Sequence, residues 1–214
     1  CASESLAAAA RELGAEDVRV VPSGVEIPER VAAPEDPPHI LYAGRLSEEK
    51  GVAELLEATA GIPRVVVGDG PLRERAPDAV GFVSPGELGP YFERASVVVC
   101  PSRREGYGVV AREAMAYGRP VVATAVGGLV DAVEDGVTGL LVPPRDPASL
   151  RAAIERLLAD PALRRRLGET ARERAVERFS PAVATREAVA AYHAALSSAA
   201  DRAHAVGAHS RYRS

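Results

Sequence analysis

The sequence contains no tryptophan, one methionine and two cysteines, and its apolar runs are short. Two cysteines are too few for a disulfide scaffold, and Cys100, which closes an apolar run, is expected to be a buried free thiol. No run approaches the roughly 20 apolar residues that a membrane-spanning helix needs. These absences favour a globular protein of a reducing compartment.

An excess of positive charge is also lacking. The chain has 26 basic and 30 acidic residues, giving a net charge of −4, whereas nucleic-acid-binding proteins are usually basic. No nucleic-acid partner is therefore predicted. The absence of an Asp-x-Asp pair, and of a compact set of His and Asp ligands, argues against a metal site.

Lysine is almost absent too. Lys50 is the only lysine among the 26 basic residues, and it lies in the segment GRLSEEKG, residues 44–51. A bias towards arginine usually reflects base composition and carries no chemistry. An exception to that bias draws attention to the segment that contains it.

Short apolar runs alternate with amphipathic segments along the chain. The runs predict strands at 39–44, 64–68, 79–83, 96–100, 120–124 and 139–142, with 18–27 as a candidate first strand. Nearly continuous Val, Ile and Leu are typical of strands buried on both faces of a parallel sheet. The alternation of strands and helices predicts an α/β, Rossmann-like, doubly wound fold.

Several helix starts are marked by a capping residue followed by proline. Ser84-Pro85 with Glu87 forms a capping box that has proline at the first helical position. The same signal precedes three C-terminal helices, at Asp146-Pro147, Asp160-Pro161 and Ser180-Pro181.

The loop after the run 39–44 has the chemistry of a phosphate site. Ligands of such folds bind at the carboxyl ends of the strands. Here Arg45 and Lys50 bracket the loop, and Gly51 begins a helix. Two cations beside a glycine-flanked helix start can hold a phosphate. The alternative is an ordinary solvated helix start, with Ser47 as its cap.

Two further loops contain glycine pairs. VGDGP, residues 67–71, lets a ligand or another chain segment approach the backbone closely, or it is a plain tight turn. It is not the dinucleotide-binding fingerprint, because the third glycine is missing. Gly127-Gly128 precedes a short helix and is a candidate nest for an oxyanion.

The segment 101–120, PSRREGYGVVAREAMAYGRP, gives the strongest signal. Glu105 and the glycines after it place flexible backbone N–H groups at a helix start, and Gly118 ends the helix. Glu113 is expected to be buried, because this helix is apolar most of the way round except at Arg112. A buried carboxylate needs strong hydrogen bonds, either from sugar hydroxyls or from a buried arginine. The four loops together predict a nucleoside diphosphate carrying a sugar as the ligand.

The order and spacing of these motifs resemble one enzyme family. The chain resembles, over about residues 18–195, the C-terminal donor-binding half of GT-B-fold, retaining glycosyltransferases of family 4, also called glycosyl transferases group 1. The resemblance rests on AGRLSEEKG, VGDGP, VGFVSPGEL, PSRREGYGVVAREAMAYGRPVVAT, VGGLVDAVEDGVTGLLVPPRD and ERFS.

The resemblance implies a role for each motif. Arg45 and Lys50 would bind the donor diphosphate, Glu105 would contact the transferred sugar, and Glu113 would hold the ribose hydroxyls. The strand end 81–83 would lie near the base. The expected catalytic residues are Arg45, Lys50 and Glu105. The expected nucleotide-sugar-binding residues are Gly44, Arg45, Lys50, Gly68, Gly81, Phe82, Val83, Glu105, Gly106, Tyr107, Gly108, Val109, Glu113, Gly127 and Gly128.

The resemblance also implies a division of the chain. Residues 1–17 would be the remnant of a junction with a missing N-terminal acceptor-binding domain, and residues 18–179 the nucleotide-sugar-binding domain. Residues 180–198 would form a helix crossing back to the missing domain, and 199–214 a flexible tail. Because the first residue is not Met, the chain is expected to be a fragment or a processed form.

The expected function is that of a hexosyltransferase-like enzyme that uses a UDP-, GDP- or ADP-sugar, needs no cofactor or metal and is inactive without the acceptor-binding domain. The expected location is cytoplasmic, with peripheral contact to the inner face of the membrane left open. Two alternatives also stay open: a stand-alone nucleotide-binding module, and a sugar-nucleotide epimerase that shares the GT-B fold.

Overall fold

The computed structural model describes the backbone of residues 1–209 and the side chains of residues 1–197. In this part of the chain five parallel strands form one sheet, in the order β2-β1-β3-β4-β5. The strands are β1 (Ile40–Ala43), β2 (Arg64–Val67), β3 (Val97–Cys100), β4 (Val121–Thr124) and β5 (Gly139–Val142). The predicted Rossmann-like α/β fold is confirmed.

Helices cover both faces of the sheet. They are α1 (Glu4–Glu12), α2 (Val52–Ala58), α3 (Gly89–Arg94), α4 (Val109–Ala116), α5 (Gly128–Ala132), α6 (Pro147–Ala159), α7 (Pro161–Phe179) and α8 (Pro181–His209), with short 3₁₀ helices at Arg73–Arg75 and Pro85–Glu87. None of the helices within residues 1–209 is both long and apolar enough to cross a bilayer.

The strands are buried on both faces, as their continuous apolar sequences predict. Leu41 and Val98 belong to the core on the side of α4 and α7, whereas Ile40 and Val97 belong to the core on the side of α2 and α6. Neighbouring residues of one strand therefore contribute to opposite cores. Cys100 is a buried free thiol, as expected.

Two of the predicted strands do not form. Residues 79–83 run beside the edge strand β2 and make only a single-residue bridge, between Gly81 and Gly68. Gly81 has φ 97°, so the chain turns away there instead of continuing as a strand. Residues 18–27 have no regular secondary structure, and the Val25 N–H donates to the Phe179 carbonyl at 2.8 Å.

The proline-marked helix starts are confirmed. Pro147, Pro161 and Pro181 are the first residues of α6, α7 and α8. The capping box of Ser84 and Glu87 is also present, although the helix that it begins is a 3₁₀ turn that leads into α3.

Other expected boundaries differ from the structure. Ser47 is not a cap, because α2 begins at Val52 with Gly51 at the cap position, and residues 48–50 form a turn before it. The last helix continues to His209, past the expected end at residue 198. The remainder of the predicted tail, 210–214, lies outside the described residues.

The packing of α7 against α4 depends on a glycine. A Cβ atom at Gly168 would lie 2.2 Å from the carbonyl oxygen of Gly118, at the C-terminal end of α4. Only a residue without a Cβ lets the two backbones approach this closely. Glycine is retained here although alanine is the better helix former by about 1 kcal/mol.

We therefore expect Gly168→Ala to lower the free energy of unfolding by about 1–3 kcal/mol, the usual cost of overpacking. Urea denaturation measures it. Gly86→Ala is the matched control, because a Cβ there would meet nothing within 4 Å. Equal stability of the two variants would contradict this account of the α4–α7 contact.

Candidate functional site

Loops after four strands meet at the carboxyl edge of the sheet, and their backbones touch. A Cβ atom at Gly68 would lie 1.8 Å from the carbonyl oxygen of Gly44, and one at Gly51 would lie 1.9 Å from that of Pro101. Both glycines have positive φ, of 137° and 68°. Glycine is required at these positions by both space and backbone conformation. The approach fixes the loop after β1 against the loops after β2 and β3.

Lys50 and Glu105 form an ion pair across two of these loops. The Nζ atom of Lys50 lies 2.7 Å from Oε2 of Glu105, and the Ser102 hydroxyl donates to the same oxygen at 3.3 Å. Their side chains are 31% and 18% exposed, so both remain within reach of a ligand. The sequence placed both residues at a site, and the structure brings them into contact.

A second ion pair lies beside the first, and the sequence did not reveal it. Arg103 Nε lies 2.7 Å from Oε1 of Glu54 on α2, and the Arg103 backbone N–H donates to the Glu49 carbonyl at 2.8 Å. The hydrogen bond with Glu54 raises the pKa of Arg103. Glu54 is almost buried, and its Oε2 has no partner within the described residues. Arg103 thus ties the loop that contains Glu105 to α2 and to the loop that contains Lys50.

A cleft of about 470 Å³ opens beside the loops after β1 and β2. Five residues expected from the sequence line it: Gly44, Arg45, Gly68, Phe82 and Val83. The exposed Arg45 has no ion pair in the described part of the chain, so its guanidinium is free to bind an anion. Six further lining residues were not expected: Ala43, Val67, Asp69, Gly70, Leu88 and Val110.

Glu113 on α4 is a partly buried carboxylate. Burial raises its pKa from 4.5 to about 7. Within the described residues its side chain makes no ion pair or hydrogen bond, which leaves its oxygens available as acceptors. The alternative of a buried arginine partner does not hold, because neither of the two buried arginines, Arg112 and Arg119, pairs with Glu113. Arg112 donates to the carbonyls of Tyr107 and Gly128 instead.

The Arg112 side chain packs against the segment that follows Glu105. Its guanidinium lies 3.8 Å from the centre of the Tyr107 ring, and the Tyr107 hydroxyl donates to the Ser23 carbonyl. The Tyr107 side chain is therefore a buried packing element, and only its backbone could meet a ligand. Gly108, with φ 78°, is the cap of α4. Val109, the first residue of α4, is exposed.

The glycine pair at the start of α5 supports the loop that contains Glu105. The Gly128 N–H donates to the Glu105 carbonyl at 2.9 Å, and a Cβ atom at Gly127 would lie 1.9 Å from that same oxygen. The interpretation of Gly128 as part of an oxyanion nest is therefore wrong, because its donor is already used. Gly106 is exposed, and its carbonyl accepts a hydrogen bond from the Ser3 hydroxyl at 2.8 Å.

The chain matches a known family. Residues 25–174, more than half of the chain, match the family model described as glycosyl transferases group 1. Among curated proteins, alpha-D-kanosaminyltransferase from Streptomyces kanamyceticus is 39% identical over 157 residues, which cover 64% of this chain and 40% of that protein. The chain spans less than half the length of the curated relatives that it matches.

Solved structures share the fold. Sucrose-phosphate synthase from Thermosynechococcus elongatus superposes with a TM-score of 0.79 at 34% identity, covering 92% of this chain and 57% of that chain. A protein from Anabaena, solved in complex with UDP and glucose, superposes with a TM-score of 0.81 at 23% identity, covering 91% and 62%. The parallel sheet and its flanking helices are those of GT-B glycosyltransferases.

The pair of Arg103 and Glu54 gives a testable prediction. Arg103→Met leaves the buried Glu54 carboxylate without its partner, so we expect the free energy of unfolding to fall by about 1–3 kcal/mol. Urea denaturation measures the change. Adding Glu54→Gln should recover part of the loss, since the uncompensated charge is removed.

Arg104→Met is the matched control, because this neighbouring arginine is exposed and has no ion pair within the described residues. A double variant less stable than Arg103→Met alone would contradict the assigned pairing.

The raised pKa of Glu113 predicts a pH dependence of stability. Because its folded pKa, about 7, exceeds the reference value of 4.5, its stabilising contribution is complete below pH 4.5 and is lost as the pH rises through 7. Glu113→Gln lacks this loss. The free energy of unfolding of Glu113→Gln, relative to that of the parent protein, should therefore increase by about 1–2 kcal/mol from pH 5 to pH 8. This value is discounted because the side chain is partly exposed. Denaturation curves at both pH values test this, and parallel pH profiles would contradict it.

Proposed function

The chain belongs to the glycosyl transferases group 1 family, and from that premise we propose that it is the donor-binding half of a retaining glycosyltransferase. Such an enzyme moves a sugar from a UDP-, GDP- or ADP-sugar to an acceptor. The observation that carries the proposal is the arrangement of Arg45, Lys50 and Glu105 at one edge of the sheet, beside the 470 Å³ cleft. Two cations and a carboxylate suit a diphosphate and a sugar, respectively.

In the proposed transfer, the acceptor oxygen forms a new bond to the anomeric carbon of the sugar while the bond between that carbon and the diphosphate oxygen breaks, and the proton of the acceptor hydroxyl passes to the leaving diphosphate. Negative charge develops on the leaving diphosphate, and donors already in position stabilise it best. Arg45 can donate to two phosphate oxygens at once, because its guanidinium is a planar fork. Lys50 is a compact point charge, which suits the narrow space between two loops. Glu105 lies within 2.7 Å of Lys50 and would contact the transferred sugar.

Glu113 has the properties of a ribose anchor. Its oxygens have no partner in the described part of the chain, and it is half-buried on α4, whose residue Val110 lines the cleft. Hydroxyls that donate to the carboxylate would favour its ionised form and lower its pKa. The exposed Phe82 and the apolar Val83 and Leu88 form the part of the cleft proposed for the base.

The acceptor would be held by a part of the enzyme outside this chain. The chain covers less than half of its curated relatives, and transfer needs both substrates held in place. We expect the chain alone to bind the donor weakly and to transfer no sugar. The exposed apolar residues Val189, Tyr192 and Leu196 of α8 support the proposal that this helix packs on the acceptor-binding domain.

The experiment that tests the function is calorimetry with nucleoside diphosphates on Lys50 variants. Lys50→Ala should lower the affinity by about 1.5–3 kcal/mol, the range for a hydrogen bond to a charged group. Lys50→Arg should restore only part of it, because a guanidinium is larger than an ammonium group. The nucleoside without phosphates is the control, and it should bind all three proteins equally.

A further variant separates the two effects of losing Lys50. Lys50→Ala also releases the Glu105 carboxylate, which then repels the phosphates. Lys50→Ala combined with Glu105→Gln should therefore bind the diphosphate better than Lys50→Ala alone. A parent protein that binds no UDP, GDP or ADP, or a Lys50→Ala variant with unchanged affinity, would overturn the proposed function.

We also propose that binding needs no divalent metal, because Arg45 and Lys50 supply the positive charge at the diphosphate. Diphosphate affinity measured with EDTA should equal the affinity measured with magnesium. A large loss with EDTA that magnesium or manganese reverses would show that the two cations are not sufficient.

A further inference from the structure

Four arginines line a second cleft, which lies at the amino ends of the strands, whereas the candidate site lies at their carboxyl ends. The cleft measures about 510 Å³ and lies at the amino ends of β3 and β4, where Ser96 and Pro120 precede the strands. Its arginines are Arg119, Arg164, Arg165 and Arg172. Glu169 is the one acidic residue among those that line it. The cleft is therefore strongly basic in a chain whose net charge is −4.

Three of these arginines are held in place by carbonyl groups at helix ends. Arg119 donates to the carbonyls of Phe92 and Glu93 in α3, at 3.0 and 2.7 Å, and to that of Ala32 at 2.5 Å, so only its Nη1 group is free. Arg164 donates to those of Leu157 and Leu158, near the end of α6, at 2.7 and 2.5 Å. Arg172 donates to the last carbonyl of α4, that of Ala116, and to that of Pro28 at 2.5 Å. Fixed side chains lose little conformational freedom on binding a ligand.

The capping of helix ends accounts for part of this arrangement. Arginine side chains commonly satisfy the last carbonyls of a helix and interact favourably with its dipole. Capping alone would account for Arg119, Arg164 and Arg172 without any ligand. In the described part of the chain, however, none of the three pairs with a carboxylate. Arg119 is only 6% exposed, and a guanidinium so deeply buried usually has an anionic partner.

Helix capping does not account for two other residues of the cleft. Arg165 lines the cleft and is exposed, and its side chain makes no hydrogen bond or ion pair within the described residues. Ser96 also lines the cleft and is 3% exposed, and its hydroxyl has no hydrogen-bond partner in the same part of the chain. A buried hydroxyl without a partner is rare in native proteins, and it favours a site that a ligand or ion completes.

We propose that this cleft binds a phosphate monoester. Arg165, the free N–H groups of Arg119 and Arg164, and the Ser96 hydroxyl would donate to the phosphate oxygens, for which arginine is the preferred partner. The organic part of the ligand would lie against the segment 31–34, which is Val-Ala-Ala-Pro and lines the same cleft. Pro161, the first residue of α7, also lines the cleft, but the Asp160 carboxylate already caps this helix N-terminus by accepting from the Leu163 N–H at 2.9 Å, so the proposal does not rely on the helix dipole.

The proposal does not depend on the proposed transferase function, because the two sites lie at opposite edges of the sheet. The same phosphate monoester chemistry occurs in soluble molecules and in lipid headgroups, so the experiment needs one probe of each kind. Glycerol 3-phosphate is the soluble probe. Vesicles of phosphatidylcholine with and without phosphatidic acid are the lipid probe.

The test uses the full chain with Lys50→Ala, so that phosphate binding at the candidate donor site is weakened. Into this background we place Arg165→Gln or its matched control Arg166→Gln, the next residue of α7, which is exposed and does not line the cleft. Glycerol 3-phosphate is titrated by calorimetry, and vesicle binding is measured by co-sedimentation. We expect Arg165→Gln to weaken binding at least tenfold and Arg166→Gln to change it less than twofold.

Each outcome decides the proposal. Arg165-dependent binding of glycerol 3-phosphate supports it with a soluble ligand, and Arg165-dependent binding of phosphatidic acid vesicles alone supports it with a lipid ligand. The proposal is overturned if neither probe shows saturable binding. Equal losses in both arginine variants also overturn it, because they indicate general charge attraction.

Ser96→Ala provides a second measurement that is independent of charge. If the Ser96 hydroxyl donates to the bound phosphate, removing it should weaken glycerol 3-phosphate binding about tenfold. The ligand-free protein should become no less stable, because the substitution removes a buried hydroxyl that has no hydrogen-bond partner. Unchanged affinity in Ser96→Ala would remove Ser96 from the site and contradict the proposed geometry. Retained UDP affinity, measured in Arg165→Gln with Lys50 present, separates this site from the donor site.

Discussion

The contact between loop backbones at the carboxyl edge of the sheet is the constraint on which the candidate site depends. A parallel sheet places the ends of all its strands at one edge, but it does not by itself bring the following loops together. Glycine does so here, because Gly51, Gly68 and Gly127 each lie where a Cβ atom would meet a neighbouring carbonyl oxygen at less than 2 Å. The loops then act as one rigid surface on which charged side chains keep fixed distances.

The charges on that surface are arranged in pairs that compensate one another without a ligand. Lys50 pairs with Glu105 and Arg103 pairs with Glu54, while Arg45 remains without a partner in the described part of the chain. A diphosphate entering the site would compete with Glu105 for Lys50. In the proposed function, such a carboxylate keeps the lysine in position and, once displaced, would be free to contact the sugar. Arg103 maintains the spacing of the two loops from outside the site.

At the amino ends of the strands, arginine side chains bind the carbonyl groups at the C-terminal ends of helices. Arg119, Arg164 and Arg172 each donate to carbonyls at the end of a different helix, and the side chains converge on one cleft. Four arginines and one glutamate line this cleft, whereas the charged residues that line the cleft beside the candidate site are Arg45 and Asp69. The two clefts differ in origin: glycine-mediated loop contacts build the first, and helix-capping arginines build the second.

The sequence alone determined the elements whose signals are local. Continuous apolar runs located the five strands, cap-proline pairs located the starts of three helices, and the spacing of the motifs identified the family. The tertiary structure decided contacts between residues far apart in the chain. Lys50 and Glu105 are 55 positions apart, and the pairing of Arg103 with Glu54 spans 49, so no local pattern encodes either. It also decided that residues 79–83 turn away at Gly81, and that Arg112 is the charged residue buried in α4. An apolar run does not reveal whether its backbone continues along a neighbour, and a helical pattern does not reveal which charged side chain finds carbonyls to bind.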